Sequence, residues 1–447
     1  MVTIKIPTKV ENLLSHLNSG QFEAYVVGGC VRDSILGREP NDWDICTNAT
    51  PEEVIATFTD EIFKVIPTGL KHGTLTVVYG DEHFEITTYR IDGEYSDGRR
   101  PDKIKFTNSI MEDLSRRDFT INAIAYNPLT GIVDPFDGMK HISLKRIKAV
   151  GDPYERYNED ALRMMRAIRF SSQLDFEIDG STLFKIKDNA HLIMKVSQER
   201  IRDELCKILI SNNPEVGMSL LALTELLKYI LPELDDCIGF KQHNPNHNMC
   251  VFDHTLAVIE NTPINLKTRL AAMFHDIAKP RTFSIDENGI GHFYNHHMVG
   301  MYMTKEILSR LKFDNQMISD VSVLVKEHMS RHKNTSNTVA KKFINRVGKD
   351  NINDLFDLMI ADTLGSKKPH DYSDVCQLKE MCERSLNEKE PMNLKDLAIN
   401  GDDLILIGFK PNRQMGQTLN NLMEEVLKNP LINKRDLLLE MARGMIE

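Results

Sequence analysis

Hydrophobic positions change their spacing part-way along the chain. Up to about residue 150, short apolar runs alternate with turn residues. Residues 24–27 read as a strand, 31–36 as a short helix, 42–45 as a second strand and 51–58 as the start of another helix. GTLTVV and FEITTY are rich in β-branched and aromatic residues and meet around Gly80 and Asp81, which predicts a hairpin. Beyond residue 150 strand signals fade. Apolar residues then recur at helical spacing, as with Leu162, Met165 and Ile168, and ERIRDELCKILI and MSLLALTELLKYIL continue that texture. The expected fold class is therefore α+β. A head with a small mixed sheet occupies 1–150, followed by helical parts at 151–240, 241–370 and 371–447. The polar stretch KQHNPNHNM precedes the third part, and SKKPHDYSD leads into the last.

Composition narrows the class. Hydrophobic residues make up 41% of the 447 and charged residues 27%, values of a globular chain with ample core material. No apolar run approaches the roughly 20 residues of a membrane span, and the N-terminal MVTIKIPTKVENLL lacks a signal peptide's apolar centre. A cytoplasmic protein with no membrane partner is expected. The seven cysteines are dispersed with no CxxC pair, which points to reduced thiols, with Cys30 a small filler. A formal net charge of -10 excludes indiscriminate coating of nucleic acid. Local basic clusters still leave room for an RNA surface: Arg99, Arg100, Lys103 and Lys105; Arg116 and Arg117; Arg163, Arg166 and Arg169; Lys341, Lys342 and Arg346. The plain reading of any one cluster is a solvated face.

VVGGCVRDSILGREPNDWDI holds the densest chemistry. On a strand, Asp42 and Asp44 would point to one face, with Trp43 and Ile45 toward the core. Two carboxylates on one face repel, and Mg²⁺ shared with substrate phosphates removes that penalty. Glu85, on the hairpin, is a candidate third carboxylate. Gly28 and Gly29 let backbone N–H groups approach phosphate, the following helix offers its N-terminus, and Arg32 adds a forked cation that Asp33 could hold.

EDALRMMRAIRF places Asp160 and Arg163 three apart on a helix surface. The plain reading is an ion pair. The functional one is base recognition: a carboxylate accepts from the exocyclic amino group of cytosine or adenine, while an arginine donates to the neighbouring ring atom. Such a pair rejects uracil and guanine. Arg166 and Arg169 continue at the same spacing. In EDLSRRDFTINAIAYNP, Arg117 could reach a triphosphate, and Asp118 and Asn122, four apart on a helix, could bind a sugar hydroxyl. A structural cap or ion pair explains each of these alone equally well.

Together, GGCVRD, PNDWDICTNATPEEV, HGTLTV, EITTYR, DLSRRDFTINAIAY, DPFDG, NEDALRMMRAIRF and ERIRDELCKIL resemble the class II tRNA nucleotidyltransferases (CCA-adding enzymes) and the related bacterial poly(A) polymerases, in order and spacing over about residues 20–210. The resemblance implies a polymerase-β-like head in which Asp42 and Asp44 hold the catalytic metals. It also implies that Gly29, Arg32, Arg117, Asp160, Arg163, Arg166 and Arg169 bind CTP or ATP, with tRNA as partner. The segment 90–106 looks like the family's flexible loop, intact with Arg99 and Arg100, so addition of A is expected as well as C. The C-terminal segment resembles the tRNA-gripping tail of CCA-adding enzymes. Full CCA addition is the leading expectation; an A-adding enzyme, a poly(A) polymerase, or a phosphohydrolase with an RNA-binding head are the rivals.

The block FDHTLAVIENT, LAAMFHDIAKP, FYNHHMVGM, LVKEHMSRH and LMIADTLGS resembles HD-superfamily phosphohydrolases. The resemblance implies metal ligands at His254, His275, Asp276 and Asp362. His296 and His328 fall where two-metal members place extra histidines, and Lys279 could contact phosphate. Imidazole with carboxylate suits Mn, Ni, Fe or Mg better than structural zinc. In some nucleotidyltransferases of this family the HD domain hydrolyses phosphate monoesters or 2′,3′-cyclic phosphates; in others it is a scaffold.

Overall fold

A computed structural model describes residues 3–93, 103–243, 249–331, 336–388 and 390–445. The chain forms two compact units, Met1–Asp235 and Asp236–Glu447.

The first unit is built on a mixed sheet. Its strands begin with β1 (Ala24–Val27), β2 (Ile45–Thr47), β3 (Phe63–Gly69), β4 (Thr74–Tyr79) and β5 (Glu82–Thr88). A separate ribbon of β6 (Arg90–Asp92) and β7 (Ile104–Phe106) follows, and β8 (Ala125–Asn127) and β9 (Gly131–Val133) return to the sheet. The order is β3-β4-β5-β2-β1-β8-β9. Only β2 and β5 run parallel; every other neighbouring pair is antiparallel. The predicted hairpin is β4–β5, turning at Gly80 with φ 64°.

Register explains why the sheet has a chemical end. Val26 pairs with Ile45 and Val27 with Ala125, so the end of β1 lies beside the starts of β2 and β8. Ile45 pairs with Ile86 in β5, which sets Glu85 beside Asp44. The strand expected at 42–45 begins instead at Ile45. β1 stops at Val27, where the chain turns through Gly28, so no partner strand remains for 42–43. The last rung is Val27 N–H donating to the Asp44 carbonyl at 3.0 Å. Trp43 is accordingly half-buried rather than a core residue.

Helices Pro153–Glu159, Leu162–Leu174, Gly180–Asn189, Gln198–Leu209 and Pro214–Leu223 are among those that follow the sheet in this unit. Leu162–Leu174 buries Met164, Met165, Ala167, Ile168 and Phe170 and packs on Gln198–Leu209. In the second unit the described residues are helical except for the ribbon Phe283–Ile285 with Gly291–Phe293. Its last helices share a core around Leu404, Leu422, Val426 and Leu438. No helix among the described residues is long and apolar enough to cross a membrane.

Candidate functional site

At the chemical end of the sheet, Gly28 has φ 83°, a backbone state that favours glycine. A Cβ there would also lie 3.0 Å from Nη1 of Arg117. The turn feeds the helix Gly29–Ile35, and its Arg32 is buried. Arg32 donates to both oxygens of Asp33, each at 2.9 Å, and to Oδ1 of Asn122 at 2.6 Å. Asp33 holds the arginine as its spacing suggested, and Asn122 is a second partner from a distant segment. Asp42 and Asp44 stay open to solvent at their tips. Partial burial pushes the Asp44 carboxyl above its ordinary range. Arg117 opposes that rise, while Glu85 and Asp42 add repulsion to it. Carboxylates gathered closely enough to repel the charge on Asp44 make a site that fits a cation.

A cavity of about 260 Å³ lies against this end, lined by Arg116, Arg117, Asp118, Asp160, Leu162, Arg163, Arg166 and Arg200. Asp118 and Asn122 do not share an α-helix as expected. The helix ends at Ser115 and a 3₁₀ turn, Thr120–Asn122, brings the two together, with Asn122 Nδ2 donating to Asp118 Oδ1 at 3.1 Å. Arg166 holds the other Asp118 oxygen at 2.6 Å. Burial alone would raise the Asp118 carboxyl, but Arg166 and Asn122 outweigh it and hold it well below the usual carboxylate range.

Asp160 and Arg163 face the same cavity but are not paired through their side chains. Asp160 sits at the break between Pro153–Glu159 and Leu162–Leu174, with φ -144°. Its carboxylate is held by Arg200 at 2.6 and 3.2 Å. Arg163 pairs with Glu159 and donates to the Arg116 carbonyl at 3.1 Å. Arg169 lies outside the cavity lining. It pairs with Glu204 at 2.9 Å, and burial lowers its guanidinium to about 10. Arg200 is a site residue that the sequence reading missed. It belongs to the quoted ERIRDELCKIL stretch, but nothing local in that stretch shows that it reaches a residue forty positions away.

The second unit assembles the other expected constellation. His254 lies on Val251–Glu260, His275 and Asp276 follow Leu266–Phe274, His296 opens His296–Arg310, His328 ends Asn315–Glu327, and Asp362 lies on Ile352–Leu364. Ligand atoms of His254, His275 and Asp276 fall within 4.8 Å of one another, as do those of Asp276, His296 and His328. Asp276 is common to both groups: Oδ2 lies 3.2 Å from His275 Nε2 and Oδ1 lies 3.4 Å from His296 Nε2. Asp362 Oδ1 is 3.1 Å from His254 Nε2.

Every Nδ1 of the four histidines contacts a backbone carbonyl: His254 with Gly365 at 3.2 Å, His275 with Ala272 at 2.7 Å, His296 with Phe293 at 2.8 Å and His328 with Val325 at 2.7 Å. With Nδ1 held by a carbonyl, each ring turns its Nε2 toward the centre, the atom a metal would take. Burial lowers His296, and burial with the neighbouring His275 lowers His328 to about 3. Burial also opposes charging His275, but Asp276 and Asp362 outweigh it and raise its value. The buried Lys279 ammonium is 2.6 Å from Asp276 Oδ2 and donates to Gln242 at 2.8 Å.

Residues 24–148 match the model of the poly A polymerase head domain, 175–238 the RNA and SrmB-binding site of polymerase A, and 296–442 the tRNA nucleotidyltransferase domain 2. The CCA-adding enzyme of Ligilactobacillus salivarius is 33% identical over 100% of this chain and 99% of its own length. The chain belongs to the CCA-adding enzyme family. Another CCA-adding enzyme, from Pediococcus pentosaceus, is 34% identical over 94% of each chain. The crystal structure of the Bacillus stearothermophilus CCA-adding enzyme in complex with CTP superposes with a TM-score of 0.75, at 27% identity and 99% coverage of both chains. A nucleotidyltransferase head of this family implies a divalent metal. The matched descriptions name no histidine centre, so that assignment rests on the His and Asp cluster.

Two sequence expectations stand differently. Arg99 and Arg100 lie outside the described residues. The cluster Lys341, Lys342 and Arg346 is not a free basic face: Lys341 is fully buried against Glu390 at 3.0 Å, while Lys342 pairs with Glu424 at 2.5 Å and Arg346 with Glu327 at 2.8 Å.

Proposed function

We propose that this CCA-adding enzyme builds the complete CCA end of tRNA from CTP and ATP without a nucleic-acid template. One observation carries the reading. A single unit sets Asp42, Asp44, Glu85 and the Gly28–Gly29 turn at one end of a sheet, and Arg117 joins that end to a cavity holding Asp160 and Arg163. In this reading Asp42 and Asp44 hold Mg²⁺, with Glu85 beside them. Bound there, the metal would lower the cost of the attacking alkoxide and of the leaving pyrophosphate. Backbone N–H groups at Gly28 and Gly29, with Arg32 and Arg117, take the triphosphate. Asp118 and Asn122 take the ribose. Asp160 and Arg163 read the amino-bearing edge shared by C and A, and Arg166 and Arg169 brace that wall.

The tRNA 3′-hydroxyl attacks the α-phosphate in line and pyrophosphate leaves. The chain contributes positioning and preorganised charge. The functional division follows head 1–150, neck 151–240, HD region 241–370 and tRNA-holding tail 371–447, and the work is placed in the cytoplasm with its tRNA. Incubation with tRNAs ending before CCA, after C and after CC, with CTP, ATP or both, tests the reading. Addition of CCA that then stops is expected. Addition of A alone to the CC end would make it an A-adding enzyme, and an unlimited A tail a poly(A) polymerase.

A second reading is supported by the histidine centre. His254, His275, Asp276, Asp362, His296 and His328 would hold one or two ions of Mn, Ni, Fe or Mg. Such an ion supplies a metal-activated water for phosphate-ester hydrolysis. Lys279 would hold the Asp276 carboxylate and face an incoming phosphate. Metal content of the purified protein and hydrolysis of phosphate monoesters and 2′,3′-cyclic phosphates test it.

A further inference from the structure

Three guanidiniums converge on one aromatic ring in the first unit. The Phe170 centroid lies 5.1 Å from Cζ of Arg32, 5.5 Å from that of Arg166 and 4.3 Å from that of Arg169. Arg32 comes from the glycine turn of the head, and the other two from the helix Leu162–Leu174. Phe170 is 5% exposed and Phe119 closes its edge at 5.8 Å, so the contacts form in a recess with little water. Like charges gathered there repel. Arg32 and Arg166 both contribute to the lowered value of Arg169, after burial. Asp33, Asp118 and Glu204 each hold one of the three, and the ring supplies a negative face common to all of them.

The contacts close a circuit. Arg32 donates to Asn122, Asn122 to Asp118, and Arg166 to Asp118 at 2.8 Å, while Phe170 lies against both arginines. We propose that Phe170 is a positioning residue of the nucleotide site: its ring fixes the spacing of Arg32 and Arg166, so the triphosphate cation of the head and the Asp118 wall of the cavity stay in register before a nucleotide arrives. The inference rests on the nucleotidyltransferase reading above. Phe170 is buried and outside the cavity lining, so it serves CTP and ATP alike.

The test separates the π face from the ring's bulk. Ring-fluorinated phenylalanines at position 170 keep nearly the same volume and progressively weaken the negative face. Nucleotide addition is measured for each, together with thermal unfolding. The KM for CTP and for ATP should rise with each fluorine, reaching about fivefold for loss of a desolvated cation–π contact, with kcat and the unfolding midpoint nearly unchanged. Phe170→Leu should raise KM at least as much, and Phe170→Tyr should restore most of the affinity. A KM that ignores fluorination would make Phe170 a core filler and overturn the proposal, whatever Phe170→Leu does to folding. Failure of the unmodified protein to add any nucleotide would instead overturn the reading on which the proposal rests.

Discussion

In the second unit, four imidazoles and two carboxylates face one another with every Nδ1 already committed to a backbone carbonyl. In the first, the candidate site residues spend their charge on one another: Asp160 on Arg200, Arg163 on Glu159, Asp118 on Arg166. The histidine cluster already gathers its Nε2 and carboxylate oxygen atoms within reach of one small ion. The nucleotide site is preorganised only in its backbone turn and in its Arg32–Asn122–Asp118–Arg166 chain. Asp160 and Arg163, the base-reading pair of the proposed function, are each held by a protein partner that a base would share or exchange. A site that serves two bases in turn gains from such exchangeable partners, because neither base is matched by a permanently fixed donor set.

The largest effect expected is a clean separation of the two sites by single carboxylates. Asp42→Ala or Asp44→Ala should reduce nucleotide addition by on the order of a thousandfold, because transition-state charge would lose its metal, and leave the metal content of the histidine centre unchanged. Asp276→Ala should do the reverse. It removes the one residue common to both ligand groups, so bound metal should fall to background while CCA addition persists. Metal analysis and primer extension on the same preparations would decide. A loss of addition in Asp276→Ala with the fold intact would contradict the independence of the two chemistries.

The two regions also differed in how far their chemistry was legible beforehand. The histidine set was readable because each ligand is carried by its own short motif, and helices bring motifs together without altering them. The glycine turn before a helix was readable as well, but the strand expected to carry Asp42 and Asp44 was not. Asp42 and Asp44 precede β2 rather than lie on it, and their placement comes from the β1 and β5 registers on either side. Asp118 and Asn122 meet through a 3₁₀ turn where helical spacing was expected. The plain reading of Asp160 and Arg163 as an ion pair failed for a related reason. The helix breaks at Asp160, which frees its carboxylate for Arg200. Local spacing reports neighbours on one element. Arg200, Glu204 and the Phe170 contacts to Arg32 arise between elements, where spacing along the chain is silent.

Arg200 supplies an intermediate effect that sharpens the same contrast. Its guanidinium is the principal holder of the Asp160 carboxylate. Arg200→Ala should leave Asp160 mobile and cost about tenfold in kcat/KM for CTP and ATP, with larger errors toward UTP and GTP, as expected when a charged hydrogen-bond network loses one partner. Competition between CTP and UTP on a tRNA lacking CCA would measure it. Equal losses with unchanged selectivity would reduce Arg200 to a structural brace.

The smallest effect concerns acid stability, and it sets two carboxylates of the first unit against each other. Asp118 is held below the usual carboxylate range by Arg166 and Asn122 despite its burial, whereas burial, Glu85 and Asp42 hold Asp44 above it. The signs follow from linkage. A depressed carboxyl gives stability that is complete above its unfolded value and is lost as pH falls through the folded value. An elevated carboxyl binds its proton earlier in the folded state, so acid relieves strain there. In metal-free protein the two partly cancel while pH falls toward the usual carboxylate range, and the Asp118 loss dominates below it. Asp118→Asn should flatten the acid limb of a thermal-unfolding profile, and Asp44→Asn should steepen it by removing the compensating uptake. Added Mg²⁺ should act like Asp44→Asn, because a cation at Asp44 lowers its proton affinity. Profiles that shift in the same direction for both substitutions would show that these carboxylates do not have the opposed shifts in proton affinity assigned to them.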